Sequence, residues 1–83
     1  MLYRNNKKGV YIVEFDYSKL KGRIVEKLGT QSKLAELLHI SNNALSRKLN
    51  NFISFSAEDI MKIISILEID VNDIGIYFYT LKV

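Results

Sequence analysis

The 83-residue chain has no cysteine, no proline and a single histidine, His39. Without cysteine there is no disulfide, no thiolate metal ligand and no cysteine nucleophile. One histidine leaves no pair for a metal and no credible Ser/His/Asp relay, so neither a metal nor a cofactor is expected. Gly9, Gly22, Gly29 and Gly75 are scattered, which excludes a glycine-rich phosphate loop. Asp70 and Asp73 lie close together but lack the spacing of a calcium loop. No apolar run approaches the ~20 residues of a membrane span, and no signal-peptide pattern opens the chain. A soluble, cytoplasmic domain without membrane contact follows. A chain this short builds no large cleft, so catalysis and a small-molecule substrate are not expected.

Acid is scarce in one stretch. Residues 17–55 carry Lys19, Lys21, Arg23, Lys27, Lys33, Arg47 and Lys48 against only Glu26 and Glu36. Residues 56–83 reverse the balance, with Glu58, Asp59, Glu68, Asp70 and Asp73 against Lys62 and Lys82. The expectation is a basic face on the middle of the molecule, an acidic one on the last third, and a polyanion partner for the former.

Between residues 18 and 73 the pattern is one of short helices and tight turns. Leu20, Ile24 and Leu28 form one helical stripe. Ser18 or Asp16 is placed to cap it, and Gly29 to end it in the left-handed conformation. Gly22 inside this helix costs roughly 1 kcal/mol against alanine. Thr30 offers a second cap ahead of Leu34, Ala35, Leu37 and Leu38, and Ser41 a third ahead of Leu45 and Leu49. Asn50 and Asn51 close that helix. Phe52, Ile53 and Phe55 read as a loop tucked into the core. Ser56 to Asp59 has the form of a capping box, followed by the stripe Ile60, Ile63, Ile64 and Leu67. Asn72 is placed to cap a short turn. Residues 10–15 and 76–83 are rich in β-branched and aromatic types and read as terminal strands, able to pair with each other or with another subunit.

Residues 31–50 carry the functional signal. They describe a short helix, a tight turn and a second helix crossing the first. Ala35 is small where the helices must approach, and Ile40 and Leu45 are apolar at the turn and on the inward face. The outward face of the second helix holds Asn42, Asn43, Ser46 and Arg47 and no acid, as a helix entering a DNA groove requires.

These residues resemble the helix-turn-helix of lambda-repressor-like (XRE/Cro/CI) phage regulators. Gln31, Ala35, Ile40, Ser41 and Leu45 match that pattern, and residues 15–22 and 74–78 are similar to small Cro-like repressors of phages and prophages. The resemblance covers about residues 13–83. It implies a compact all-α domain of four to five helices, with short terminal β-strands allowed. It also implies a sequence-specific repressor occupying a double-stranded DNA operator, as a homodimer built through the aromatic stretch 76–79. Under it Asn42, Asn43, Ser46 and Arg47 read base edges, Asn suiting adenine and Arg suiting guanine. Gln31 touches the phosphate backbone, with Thr30, Ser32, Lys33, Lys48, Asn50 and Asn51 as further phosphate candidates. Lys19, Lys21, Arg23 and Lys27 read as solvated surface, and Glu26 as a partner for Thr30 or Lys27. His39 stands where the family has glycine; it reads as a tolerated left-handed residue, the alternatives being a phosphate contact or a pH sensor. The rival function is a protein-interaction module, an antitoxin, antirepressor or assembly partner, on the same scaffold without DNA binding.

Residues 1–12 have no place in that fold. The codons for residues 7–10 permit a purine-rich ribosome-binding sequence six nucleotides before Val13, so residues 1–12 read as a translated leader. The alternative is an N-terminal arm carrying Arg4, Lys7 and Lys8 to DNA phosphates.

Overall fold

The computed structural model describes residues 3–5 and 11–83, with side chains from Val13 onward. The order is β1 (Tyr3–Asn5), β2 (Tyr11–Val13), α1 (Ser18–Leu28), α2 (Gln31–Leu38), α3 (Asn42–Leu49), α4 (Ala57–Leu67), a 3-10 turn (Val71–Asp73) and α5 (Ile74–Phe78). Five helices form an all-α body, as expected from the sequence. Among the described residues no helix is long and apolar enough to cross a membrane. Lys7, Lys8 and the side chain of Arg4 lie outside the described part, and with them the arm and leader readings.

The helices start and stop where local chemistry dictates. Thr30 Oγ1 accepts from Lys33 N at 3.2 Å and Ser41 Oγ from Ala44 N at 3.0 Å. Ser56 and Asp59 form a full capping box, with reciprocal bonds of 3.0 Å. Gly29 ends α1 at φ 87°, and His39 ends α2 in the left-handed region at φ 58°. Of the two candidates for the start of α1 it is Asp16 that serves, its Oδ1 accepting from Ser18 N at 2.8 Å. One detail differs from the sequence reading. Asp70, not Asn72, caps the turn before α5, accepting from Asn72 N at 2.8 Å.

The apolar stripes converge on one core. Leu20, Ile24, Leu34, Leu45, Ile63, Leu67 and Phe78 are almost fully buried, and Ala35 lies beneath the α2–α3 crossing. Phe55 stacks edge-on against both Tyr17 and Phe78, at centroid distances of 5.3 and 5.5 Å.

The N-terminal strand forms within the expected stretch, as β2, and the C-terminal one does not. β2 pairs antiparallel with β1, Tyr3 opposite Val13, rather than with the C-terminus. Residues 76–83 are not a strand: the chain from Ile74 winds into α5 and drives Phe78 to 1% exposure. Burying that ring outweighs the weak β preference of its neighbours. Only a remnant of terminal pairing survives, the bridge of Phe15 to Leu81, with Asp16 N donating to Thr80 O at 2.7 Å and Lys82 N to Glu14 O at 3.1 Å. Of the aromatic stretch 76–79, Phe78 is core and Tyr77 half-buried, while Ile76 and Tyr79 are exposed.

Candidate functional site

The α2–α3 pair is joined by three residues, His39, Ile40 and Ser41. The left-handed turn at His39 lets its N–H bond Glu36 O at 3.1 Å and lets Ile40 N reach Ala35 O at 3.0 Å, so α2 closes tightly before the chain reverses. Ile40 packs against the core, and Ser41 then starts α3. α3 buries Leu45 and Leu49 and turns Asn42, Asn43, Arg47 and Asn50 to solvent, with Ser46 half-buried. Gln31, Ser32, Lys33 and Thr30 are exposed at the start of α2, on the same two-helix unit.

The partners of these side chains divide them. Asn42, Asn43 and Arg47 make no side-chain hydrogen bond or ion pair among the described residues, and neither does Gln31. Asn50 folds back on its own helix, its Nδ2 donating to Ser46 O at 2.8 Å and to Ser46 Oγ at 3.2 Å. Lys33 lies 3.7 Å from Glu36. Lys48 is directed inward. Its Nζ is 2.9 Å from Asp59 Oδ2 in a half-buried ion pair joining α3 to α4, and it sits 6.0 Å from the Phe55 ring centre. Burial alone would raise the Asp59 carboxyl, but the bonds from Lys48 and Ser56 together with the Lys48 charge hold it below the usual carboxylate range. Asn51 is also structural: at φ 67° it aims its amide at the Phe15 backbone, accepting from Phe15 N at 2.9 Å and donating to Phe15 O at 3.0 Å.

Ion pairing joins the two charge blocks in part. Four of the seven cations of residues 17–55 are in ion pairs, two of them with acids of the last third: Lys48 with Asp59, and Lys27 with Glu68 at 2.8 Å. Arg23 pairs with Glu26, which the sequence reading had given to Thr30 or Lys27. Arg23 also donates to Leu67 O at 3.0 Å and Glu68 O at 3.1 Å, capping the C-terminus of α4. Glu68 is held below its ordinary pKa, first by the Lys27 hydrogen bond. Lys19 lies 5.3 Å from the Tyr77 ring centre. Sequence blocks of opposite sign were brought together by the folding of α1 and α3 onto α4.

The sequence reading missed one feature of the site. Phe52 N and Ile53 N both donate to Arg47 O, at 2.9 and 3.3 Å, closing the end of α3. Neither side chain joins the core: Phe52 is 67% exposed, Ile53, 40% exposed, sits at the rim of the space beside Phe55, and only Phe55 turns in. Spacing gave no warning, since Phe52 and Ile53 fall three and four residues after Leu49, where the stripe would continue if the helix did; α3 ends at Leu49. The loop backbone that carries exposed Phe52 is thus tied to the Arg47 carbonyl at the end of α3.

Comparison with known proteins gives two findings and one negative. No curated protein matches the chain. Among solved structures it is similar to the solution structure of the modulator of repression (MOR) of the temperate bacteriophage TP901-1 from Lactococcus lactis. The identity is 38%, over 78% of this chain and 88% of that one, with a TM-score of 0.71. Residues 13–81 match a family described as protein of unknown function, DUF739, a span that includes all five helices and every side chain of the site. The chain belongs to the DUF739 family.

Proposed function

We propose that this chain is a phage regulatory protein that acts on a repression switch by binding, without catalysis or cofactor, through the outer face of α2 and α3. The observation that carries this reading is the row of unpartnered, acid-free side chains on α3, Asn42, Asn43 and Arg47, continued by exposed Phe52 and Ile53. Similarity to a phage modulator of repression supports the setting.

The occupant supported best is a protein of the switch. Exposed arginine and aromatic side chains on one unpaired face are of the types enriched at the centres of tightly binding protein interfaces. The pairing of most nearby cations also leaves little charge for phosphates, and nonspecific DNA affinity grows with the number of phosphates neutralised. Duplex DNA is the second reading, favoured by the absence of acid from α3. In it Asn42, Asn43, Ser46 and Arg47 read base edges, Gln31, Thr30, Ser32 and Lys33 hold phosphates, and a homodimer spans half-sites about 34–36 Å apart.

One experiment separates them. The purified chain is titrated against the repressor encoded in the same phage genome and, in parallel, used to select from a random duplex pool. The protein reading expects saturable repressor binding, weakened at least about tenfold by Phe52→Ala, consistent with a hot spot. Enrichment of a palindromic site whose affinity falls steeply with salt, without repressor binding, overturns it in favour of DNA.

A further inference from the structure

Behind the exposed loop lies a cavity that the α2–α3 reading does not use. Its volume is about 170 Å³, and it is walled by four separate stretches of chain. Phe15 and Tyr17 come from the run after β2, Ser54 and Phe55 from the α3–α4 loop, Ile60 from α4, and Phe78 from the end of α5. The rings meet edge to face, Phe15 on Tyr79 at 5.5 Å and Phe55 on Tyr17 at 5.3 Å. Edge-to-face contacts of this kind keep the rings apart at an angle, an arrangement complementary to another flat aromatic. A cavity of about 150 Å³ lined by apolar side chains is known to hold a benzene.

The polar groups of the lining are of two kinds. The Asn51 amide is occupied by the Phe15 backbone. Tyr17 is different. It is only 7% exposed, yet its hydroxyl makes no hydrogen bond among the described residues, and neither does the Ser54 hydroxyl. Burial raises the Tyr17 phenol pKa, so the group is a neutral O–H at physiological pH. No unpaired side-chain polar atom among the described residues is fully buried, so both hydroxyls are accessible, and each is available to a polar atom of a ligand in an otherwise aromatic lining.

We infer that this cavity is a binding site for a small planar aromatic molecule carrying one hydrogen-bonding group, of the phenol or indole class. The rings of Phe15, Tyr17, Phe55 and Phe78 enclose the plane, and the Tyr17 hydroxyl, with Ser54 beside it, takes the polar group. Ile53 and Phe55 belong to the loop that follows α3, so occupancy is felt at the edge of the regulatory face. The site itself does not depend on what that face binds.

The test is a nuclear magnetic resonance titration of the full chain with phenol, indole and benzene, following backbone amides. Saturable shifts are expected at Val13, Tyr17, Ser54, Phe55 and Tyr79, with phenol and indole binding more tightly than benzene. Tyr17→Phe is expected to weaken phenol and indole about fivefold, the typical weight of one hydrogen bond, and to leave benzene unchanged. Ile53→Trp, at a half-exposed wall position, is expected to fill the cavity and abolish the shifts. Absence of saturable shifts with all three probes overturns the site, as does unaltered binding in Ile53→Trp. Phenol binding no tighter than benzene overturns the polar handle; this comparison in the unaltered chain also decides the matter if Tyr17→Phe does not fold.

Discussion

α3 and α4 begin alike and end differently in what their polar side chains do. Each starts at a serine cap and buries one apolar stripe. On α4 the polar groups have internal partners: Ser56 and Asp59 close the capping box, Lys48 reaches Asp59 from α3, and Arg23 seals the last carbonyls. On α3 the outward residues Asn42, Asn43 and Arg47 have none. A polar residue bound within the molecule contributes to stability, whereas a row of unpartnered ones beside exposed Phe52 is available to a partner. The two helices should therefore respond to substitution in opposite ways.

The largest effect is expected in the core under α4. Leu67→Ala, at a site with no solvent exposure, should destabilise the fold by about 3–5 kcal/mol in urea denaturation. A cost near zero would mean that α4 does not hold the core. Truncation after Gly75 belongs to the same class, because it removes buried Phe78, and loss of binding in such a variant would report unfolding rather than a lost interface.

Arg47→Ala provides the opposite case. Its stability should stay within about 0.5 kcal/mol of the parent, while affinity for the partner of the α3 face falls by about 1–3 kcal/mol. Calorimetric titration beside thermal melts checks both halves. A large loss of stability with intact binding would reverse the comparison.

Lys48 and Asp59 lie between these extremes. Asp59→Ala removes an N-terminal cap partner and an interhelical ion pair, and should cost about 1 kcal/mol. The depressed Asp59 carboxyl also sets a pH signature. Its contribution is present above the unfolded carboxylate pKa near 4 and is lost as pH falls through the lower folded value. Parent and Asp59→Ala should thus differ most at neutral pH and converge in acid. A constant difference down to about pH 2 would rule out the linkage.

The smallest effects concern backbone conformation. His39 and Glu68 both end helices at positive φ. Glu68 is held there by Arg23 and Lys27, whereas His39 has no side-chain partner among the described residues. His39→Gly should raise stability by up to about 1 kcal/mol, since glycine pays no Cβ penalty in that region, and Glu68→Gly should give no such gain. Gly22→Ala, where an added Cβ would meet nothing within 4 Å, should gain roughly 0.5–1 kcal/mol. Chemical denaturation resolves each of these.

Most of the helical fold was legible in the sequence because its signals are local. Stripes at helical spacing, Thr30, Ser41 and Ser56 as caps, Gly29 and His39 at the turns, and an acid-free α3 face all act within a few residues of themselves. Tertiary structure decided what depends on distant neighbours. Phe78 became core and its segment a helix because a cavity lined by Phe55 and Tyr17 was there to receive it. Lys48 and Lys27 turned to acids 11 and 41 residues away along the chain, so part of the basic block is paired with acids of the last third. Asn51 became a clamp on Phe15 across 36 residues, and Phe52 was left outside. Local chemistry fixes where a helix begins and ends; which side chains remain free for a partner is settled only when the helices meet, because burial and ion pairing are properties of the assembled surface.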